Sequence, residues 1–375
     1  MMDQKWLQLL QKMVDINSGT GNLAGSEKIR QLLVPEFESL GFQTRVETVQ
    51  ENHRVLICDF PGEKPQLALV GHIDTVFPSH SPFQKMRIEG DRVIGPGVID
   101  MKGGIVLLLH LLHTLKGSID LGKIRILLND DEEIGSRYSK NLFKELAAGV
   151  PFGLVFEPGL PDRSLVSSES GVLRMELKVK GVPAHAGLEH EKGVNAGLEL
   201  AHKLVKLSAL TDYSKGLTLS VGTLQGGTAV NVVCENASAE LDIRYVQNED
   251  LEYIQKELEK VRREMTVRSA EGGVPPTAEL ETLAHLPSFP QTSAQGLFPF
   301  LHDALDETGQ DIRCQHVGYG SDANHLAQTG MSLLVGLGLY GGGMHTHDEF
   351  MSVASYEQRL KLGQALIKRI LKAAS

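Results

Sequence analysis

Residues 67–78 read LALVGHIDTVFP. The apolar run 67–70 has the length of a buried strand and stops at a glycine. His72 and Asp74 follow at once, two side chains with ligand chemistry at the carboxyl end of a strand. In an open α/β sheet the site forms outside those carboxyl ends. The same arrangement recurs along the chain. Residues 124–128 (IRILL) run into Asp130-Asp131-Glu132-Glu133, and residues 154–156 (LVF) run into Glu157. Residues 332–338 precede a Gly341-Gly342-Gly343 turn, with His345, His347, Asp348 and Glu349 beyond it.

Between these strands, residues 6–16 and 26–40 have amphipathic helical spacing, with Pro35 an expected irregularity in the second. Residues 103–115 read as a buried helix. Strands and helices in alternation, with continuous apolar strands (55–59 among them), predict an α/β fold with a mainly parallel sheet flanked by helices. The pattern changes near Ser170. Residues 172–179 alternate as a strand, 193–207 read as a helix, 217–224 and 237–245 as strands, 249–264 as a charged helix and 265–268 as a short strand. The order β-α-β-β-α-β is ferredoxin-like. Residues 269–276 (SAEGGVPP) read as a linker. Helices are expected again at 294–308 and 355–373. The predicted organisation is residues 1–171 and 277–375 forming one domain, with 172–276 inserted as a small α+β domain.

The chain has 375 residues, a formal net charge of −10 and no long basic run, which argues against a nucleic-acid partner. Its hydrophobic fraction of 41% fits a globular protein. The three cysteines are widely separated, as expected for reduced thiols. No stretch has the length of a membrane span, and the first residues lack a secretory pattern, so a cytoplasmic location is expected.

Asp100 lies in GPGVIDMKGG (95–104), just before the helix at 103, where a carboxylate is favoured by the positive end of the helix dipole. With the residues at the strand exits it makes a set of imidazoles and carboxylates without thiolates. Such a set suits zinc or another borderline divalent ion. There are more donors than one tetrahedral ion needs; a pair of ions sharing a carboxylate would use them all. Of the adjacent Glu132 and Glu133, one then binds metal and the other is free to move a proton. Each cluster alone has a bland reading: an acidic run is commonly a solvated loop or helix cap, and Glu157 before Pro158 can simply end a strand. Their joint position at four strand exits favours the functional reading.

GHIDTVFP, GPGVIDMKGG, NDDEEIGS, FEPG and GMHTHDEF, in that order, resemble the co-catalytic zinc peptidase and deacylase family, which includes glutamate carboxypeptidases, acetylornithine deacetylase, succinyl-diaminopimelate desuccinylase and aminoacylase. GVPAHAGLEHEKGVNA, GGTAVNVV and AELDIRY in the insertion are similar too, and the resemblance spans nearly the whole chain. It implies a hydrolase with two Zn2+ per subunit, Co2+ and Mn2+ being alternatives. His72 and Glu157 would hold one ion, Glu133 and His345 the other, and Asp100 both. Glu132 would be the general base and acid, and Asp74 would orient His72. His345 is favoured over His347 because family members carry a histidine four residues before the glutamate, here Glu349.

The insertion would act as a lid and dimerisation domain. In a homodimer, its His185 would stabilise the oxyanion in the partner's site, helped by Asn231, with Arg244 gripping a substrate carboxylate. GVNAGLELAHKL, ENASAELDIRYVQNEDLE and GYGSDANHLAQTG are most similar to glutamate carboxypeptidases. The implied reaction is cleavage of an amide next to a free carboxylate, releasing a C-terminal glutamate, with Arg163 near the expected partner of the substrate's side-chain carboxylate. Val274 stands near a position where that subgroup carries a basic residue, so an N-acyl-amino-acid deacylase or dipeptidase remains an alternative. A non-catalytic metal-binding homologue is disfavoured because Glu132 and all five ligand candidates are present.

Overall fold

The computed structural model describes residues 2–373, which divide into two compact units. Of the described residues, the larger comprises 2–169, Phe289–Val317 and 321–373; the smaller comprises Ser170–Ser288 and Gly318–Gly320. Each has its own apolar core.

The larger unit is built on an eight-stranded sheet. Its order is Gln43–Thr48, Arg54–Asp59, Ile124–Asn129, Leu67–His72, Phe152–Val155, Ser332–Val335, Leu165–Glu169, Cys314–Val317. The four central strands, from Ile124–Asn129 to Ser332–Val335, are mutually parallel; antiparallel pairings lie to either side. This is the mainly parallel sheet expected from the uninterrupted apolar runs. Every residue of Leu67–His72 is buried, because both faces of a parallel sheet are covered. His72 and Asn129 pair at the ends of neighbouring strands, so the residues after them emerge side by side.

Helix Lys102–Leu115 is buried along almost its whole length and packs against Gln4–Val14 and Val353–Ala373. Two glycines let its first turn approach the site. A Cβ on Gly103 would lie 2.2 Å from the Val98 carbonyl oxygen, and one on Gly104 2.3 Å from that of Phe156. Pro35 sits inside helix Leu23–Ser39 without ending it. A second, four-stranded sheet of short strands was not foreseen. It joins Gly341–Gly342 and Phe350–Ser352 to Arg92–Ile94 and Arg87–Glu89, and so ties the segment after the glycine turn to the segment before Asp100.

The smaller unit has four antiparallel strands, in the order Thr218–Gly226, Asn236–Tyr245, Gly171–Lys180, Thr277–Leu286. With helices Ala196–Ser208 and Glu249–Arg263 this is a ferredoxin-like β-α-β-β-α-β path. The fourth strand is a correction: residues 265–268 are not a strand. The Glu199 carboxylate accepts hydrogen bonds from the backbone N–H groups of Thr266 (2.9 Å) and Val267 (2.7 Å), which takes these donors away from any ladder. Thr277–Leu286 pairs with Gly171–Lys180 instead, and the compact unit extends to Ser288, past residue 276. Among the described residues no helix is long and apolar enough to cross a membrane, and the three cysteines are unpaired.

Candidate active site

His72, Asp100, Glu132, Glu133, Glu157 and His345 come together at the carboxyl edge of the larger unit's sheet. His72, the last residue of its strand, is fully buried. Its Nε2 lies 3.2 Å from Asp100 Oδ1 and 3.5 Å from Glu157 Oε1. His345 approaches the other side of the same aspartate, with Nε2 3.1 Å from Asp100 Oδ2 and 3.4 Å from Glu133 Oε2. Asp100 therefore offers one oxygen to each imidazole. Potential ligand atoms of His72, Glu132 and Glu157 all lie within 4.8 Å of one another, as do those of His72, Asp100 and Glu133.

The electrostatics are those of a crowd of acids. Burial, reinforced by the charge of Glu157, pushes the Glu132 carboxyl well above the usual range. Burial and the charge of Asp100 push Glu133 up to about 7, against the hydrogen bond from His345. Glu157 is raised by burial too. Burial also opposes charge on Asp100, yet hydrogen bonds from His345 and His72 hold it below the ordinary aspartate value. His345 is pushed up to about 10 by its contacts with Asp100 and Glu133. Burial disfavours an imidazolium at His72, but Glu157, Asp100 and Asp74 more than offset it.

Buried charges persist when they are paired or when they coordinate metal. Here Glu133 Oε1 is buried with no hydrogen-bond partner. Spare oxygens, two imidazole nitrogens pointing inward and no thiolate make a donor set that fits divalent cations.

Asp74 plays a broader part than expected. The His72 Nδ1 atom lies 3.1 Å from the Asp74 carbonyl oxygen and 3.3 Å from its Oδ1. The carboxylate also accepts from the backbone N–H groups of Glu132 and Glu133, each at 3.2 Å, and from the Thr20 hydroxyl at 2.8 Å. It thus holds His72 and the glutamate pair in one frame. His347 lies apart from Asp100: its ring stacks on Phe83 at 5.6 Å and its Nε2 is 3.3 Å from Ser81 Oγ.

Sequence reasoning assigned no supporting role to three further acids. Asp322 is buried and accepts from Ser136 Oγ and from Asn129 Nδ2 (3.1 Å), fixing the turn just after Glu133. Glu169 accepts from the Ser321 backbone and hydroxyl, each at 3.0 Å, which holds the residue before Asp322. Glu349 is bound by backbone amides of the Asp100 loop. The motifs GYGSDANHL and GMHTHDEF contain Asp322 and Glu349.

Three of the remaining expected residues belong to the smaller unit. His185 is exposed in the smaller unit, and its Nδ1 accepts from Gly187 N–H at 3.1 Å, which leaves Nε2 as the protonated nitrogen. The Asn231 carbonyl accepts from Ala186 N–H at 3.0 Å. Arg244 forks onto Asp242 (2.6 and 3.0 Å) and donates to the Gly318 carbonyl. In the larger unit, Arg163 adopts φ +72° and places its guanidinium 5.8 Å from the centre of the Tyr340 ring.

Comparison with known proteins agrees with this architecture. The family model described as peptidase family M20/M25/M40 matches residues 68–369. Carboxypeptidase G2 of Pseudomonas sp. is 31% identical, the alignment covering 96% of this chain and 88% of the relative. Acetylornithine deacetylase of Proteus mirabilis is 26% identical over 93% of this chain and 91% of its own length. Among solved structures, aminopeptidase PepT from Bacillus cereus superposes with a TM-score of 0.82 at 21% identity, covering 98% and 99% of the two chains. A Bacillus subtilis protein described as a dinuclear metal binding peptidase of the M20 family gives 0.67 at 15%, with 98% of each chain covered. Similarity at that level shows the shared fold; the family match and the carboxypeptidase relative carry the assignment. The chain belongs to peptidase family M20/M25/M40 and is a metal-dependent hydrolase of that family.

Proposed function

We propose that this hydrolase cleaves the amide bond next to a free carboxylate in a small peptide-like substrate, as an exopeptidase that releases a C-terminal glutamate. The observation that carries the reading is Asp100, with one oxygen facing His72 and the other facing His345. His72 and Glu157 would hold one zinc ion, Glu133 and His345 a second, and Asp100 both; cobalt or manganese would suit the same donors. When bound, such a pair polarises a carbonyl and acidifies water.

Glu132 takes a proton from the attacking water. The water oxygen bonds to the scissile carbonyl carbon, the carbon–nitrogen bond breaks, and Glu132 returns the proton to the leaving amine. Asp74 keeps the Glu132 backbone and the His72 ring in register. His185 donates a hydrogen bond from Nε2–H to the oxyanion in the partner's site of a homodimer formed through the insertion, with Asn231 beside it. Arg244 exchanges Asp242 for the substrate carboxylate, and Arg163 attracts the glutamate side chain. The enzyme is read as cytoplasmic.

The acetylornithine deacetylase relative keeps an N-acyl-amino-acid deacylase as the second reading. A substrate panel on zinc-loaded protein separates the two. Release of glutamate from a folate-type glutamate conjugate should exceed release of acetate from acetylated amino acids; the reverse ranking would overturn the carboxypeptidase reading.

A further inference from the structure

Glu349 follows His345 by four residues and is 1% exposed. Every hydrogen bond its carboxylate accepts from the Asp100 loop comes from the backbone. Oε1 accepts from Ile99 N–H (3.0 Å) and Asp100 N–H (3.2 Å), and Oε2 from Gly97 N–H (3.1 Å). Its own main chain is engaged as well: the carbonyl accepts from Gly95 N–H at 3.2 Å, and the N–H donates to the Thr346 carbonyl at 3.2 Å. A buried carboxylate is costly unless its lone pairs are used. A glutamine here would turn an N–H donor toward backbone donors on one side. The position therefore calls for an acceptor at both oxygens.

The two segments that Glu349 joins carry facing ligand candidates. Asp100 is the last residue the carboxylate touches, and His345 sits on the turn that leads to Glu349. That turn is conformationally demanding, with His345 at φ +63° and Gly343 at φ +69°. Left-handed backbone at a histidine persists when its surroundings hold it there. Strand Phe350–Ser352 pairs with Arg92–Ile94 directly beyond Glu349, so the segment is anchored on both sides of the carboxylate.

We propose that Glu349 is a positioning residue: by gripping the backbone of 97–100 it locks Asp100 to the His345 turn and so fixes the spacing of the two cation subsites. This rests on the reading of the site given above. Glu349 touches neither substrate nor ion; it acts through Asp100 and His345.

The test is a zinc titration against a competing chelator, on the full chain, for the parent, Glu349→Gln and Glu349→Asp, with kcat and KM measured separately. Glu349→Gln should weaken one of the two zinc-binding events by roughly 10- to 100-fold, the range typical of groups that orient metal ligands. Its kcat should fall while KM is retained, and Glu349→Asp, which keeps both carboxyl oxygens but withdraws them, should lie between parent and Gln. A Glu349→Gln protein that melts as a folded chain and binds both zinc ions with parental affinity would overturn the proposal. If the Gln variant does not fold, the Asp variant is judged by the same criterion. A parent that takes up no zinc would instead overturn the reading of the site, and this proposal with it.

Discussion

Asp130 and Asp131 stand next to Glu132 and Glu133 in sequence, yet the two pairs live in opposite environments. Asp130 is answered by Arg30 at 2.8 Å, by His53 at 3.0 Å and by the Arg54 backbone N–H at 2.9 Å. Asp131 accepts from the Tyr138 and Ser139 backbone and from the Ser139 hydroxyl. Glu132 and Glu133 are held by their main chains, through Asp74, while their carboxylates face further carboxylates and two imidazoles. The smaller unit repeats the first solution: buried Glu199 pairs with Lys203 at 3.1 Å, and Lys203 donates to the Val261 carbonyl at 2.8 Å. A buried acid with its own cation or donors is part of the scaffold. Buried acids grouped with imidazoles and lacking such partners form a donor set that fits a divalent cation.

Glu132→Gln should produce the largest effect that follows from this contrast. Loss of a positioned general acid–base should lower kcat by roughly 10²- to 10⁴-fold with the metal content unchanged; parental turnover would remove Glu132 from the chemistry. Arg30→Met attacks the other half of the acidic run. It leaves Asp130 buried without its cation and should cost about 3 kcal/mol in urea unfolding, without altering the metal stoichiometry of the folded fraction.

Glu133→Gln should change sign with conditions. In chelator-treated protein it relieves an unpartnered buried oxygen and should stabilise by about 1 kcal/mol; in zinc-loaded protein it should destabilise and lower the zinc content. Stabilisation in neither state would mean that the acids at the site are balanced as well as those in the scaffold.

The smallest expected effect concerns Glu199. Burial alone would raise its carboxyl, but hydrogen bonds from Val267 N–H, Lys203 and Thr266 N–H hold it below its ordinary value of 4.5. A group with a depressed folded-state value contributes stability above its unfolded value and loses it as pH falls through the folded one. Acid titration of the parent's stability below about pH 5 should therefore be steeper than that of Glu199→Gln.

The sequence revealed what apolar periodicity and strand exits encode. The strands ending at His72 and Asn129, and the one just before Glu157, were readable because buried parallel strands are uninterrupted apolar runs, and the acids stand directly after them. The last strand of the smaller unit was not. Residues 265–268 have a strand's length, and only the distant Glu199 carboxylate shows why their N–H groups are occupied. Motifs contain Glu349 and Asp322 but do not show what these acids hold, since accepting hydrogen bonds from a loop hundreds of residues away imposes no local spacing. The partner of Arg244 two residues back, Asp242, lay in plain view on the same strand face. His345 and His347 could be ranked by motif alone, whereas the structure separates them by what each ring touches.

The most direct test is the metal content of the parent and of Asp100→Asn, measured by elemental analysis after zinc loading and desalting. If Asp100 serves both subsites, the parent carries two zinc ions per chain and the variant, folded by its melting profile, carries less than one. Two ions retained by Asp100→Asn, or none bound by the parent, would contradict the account.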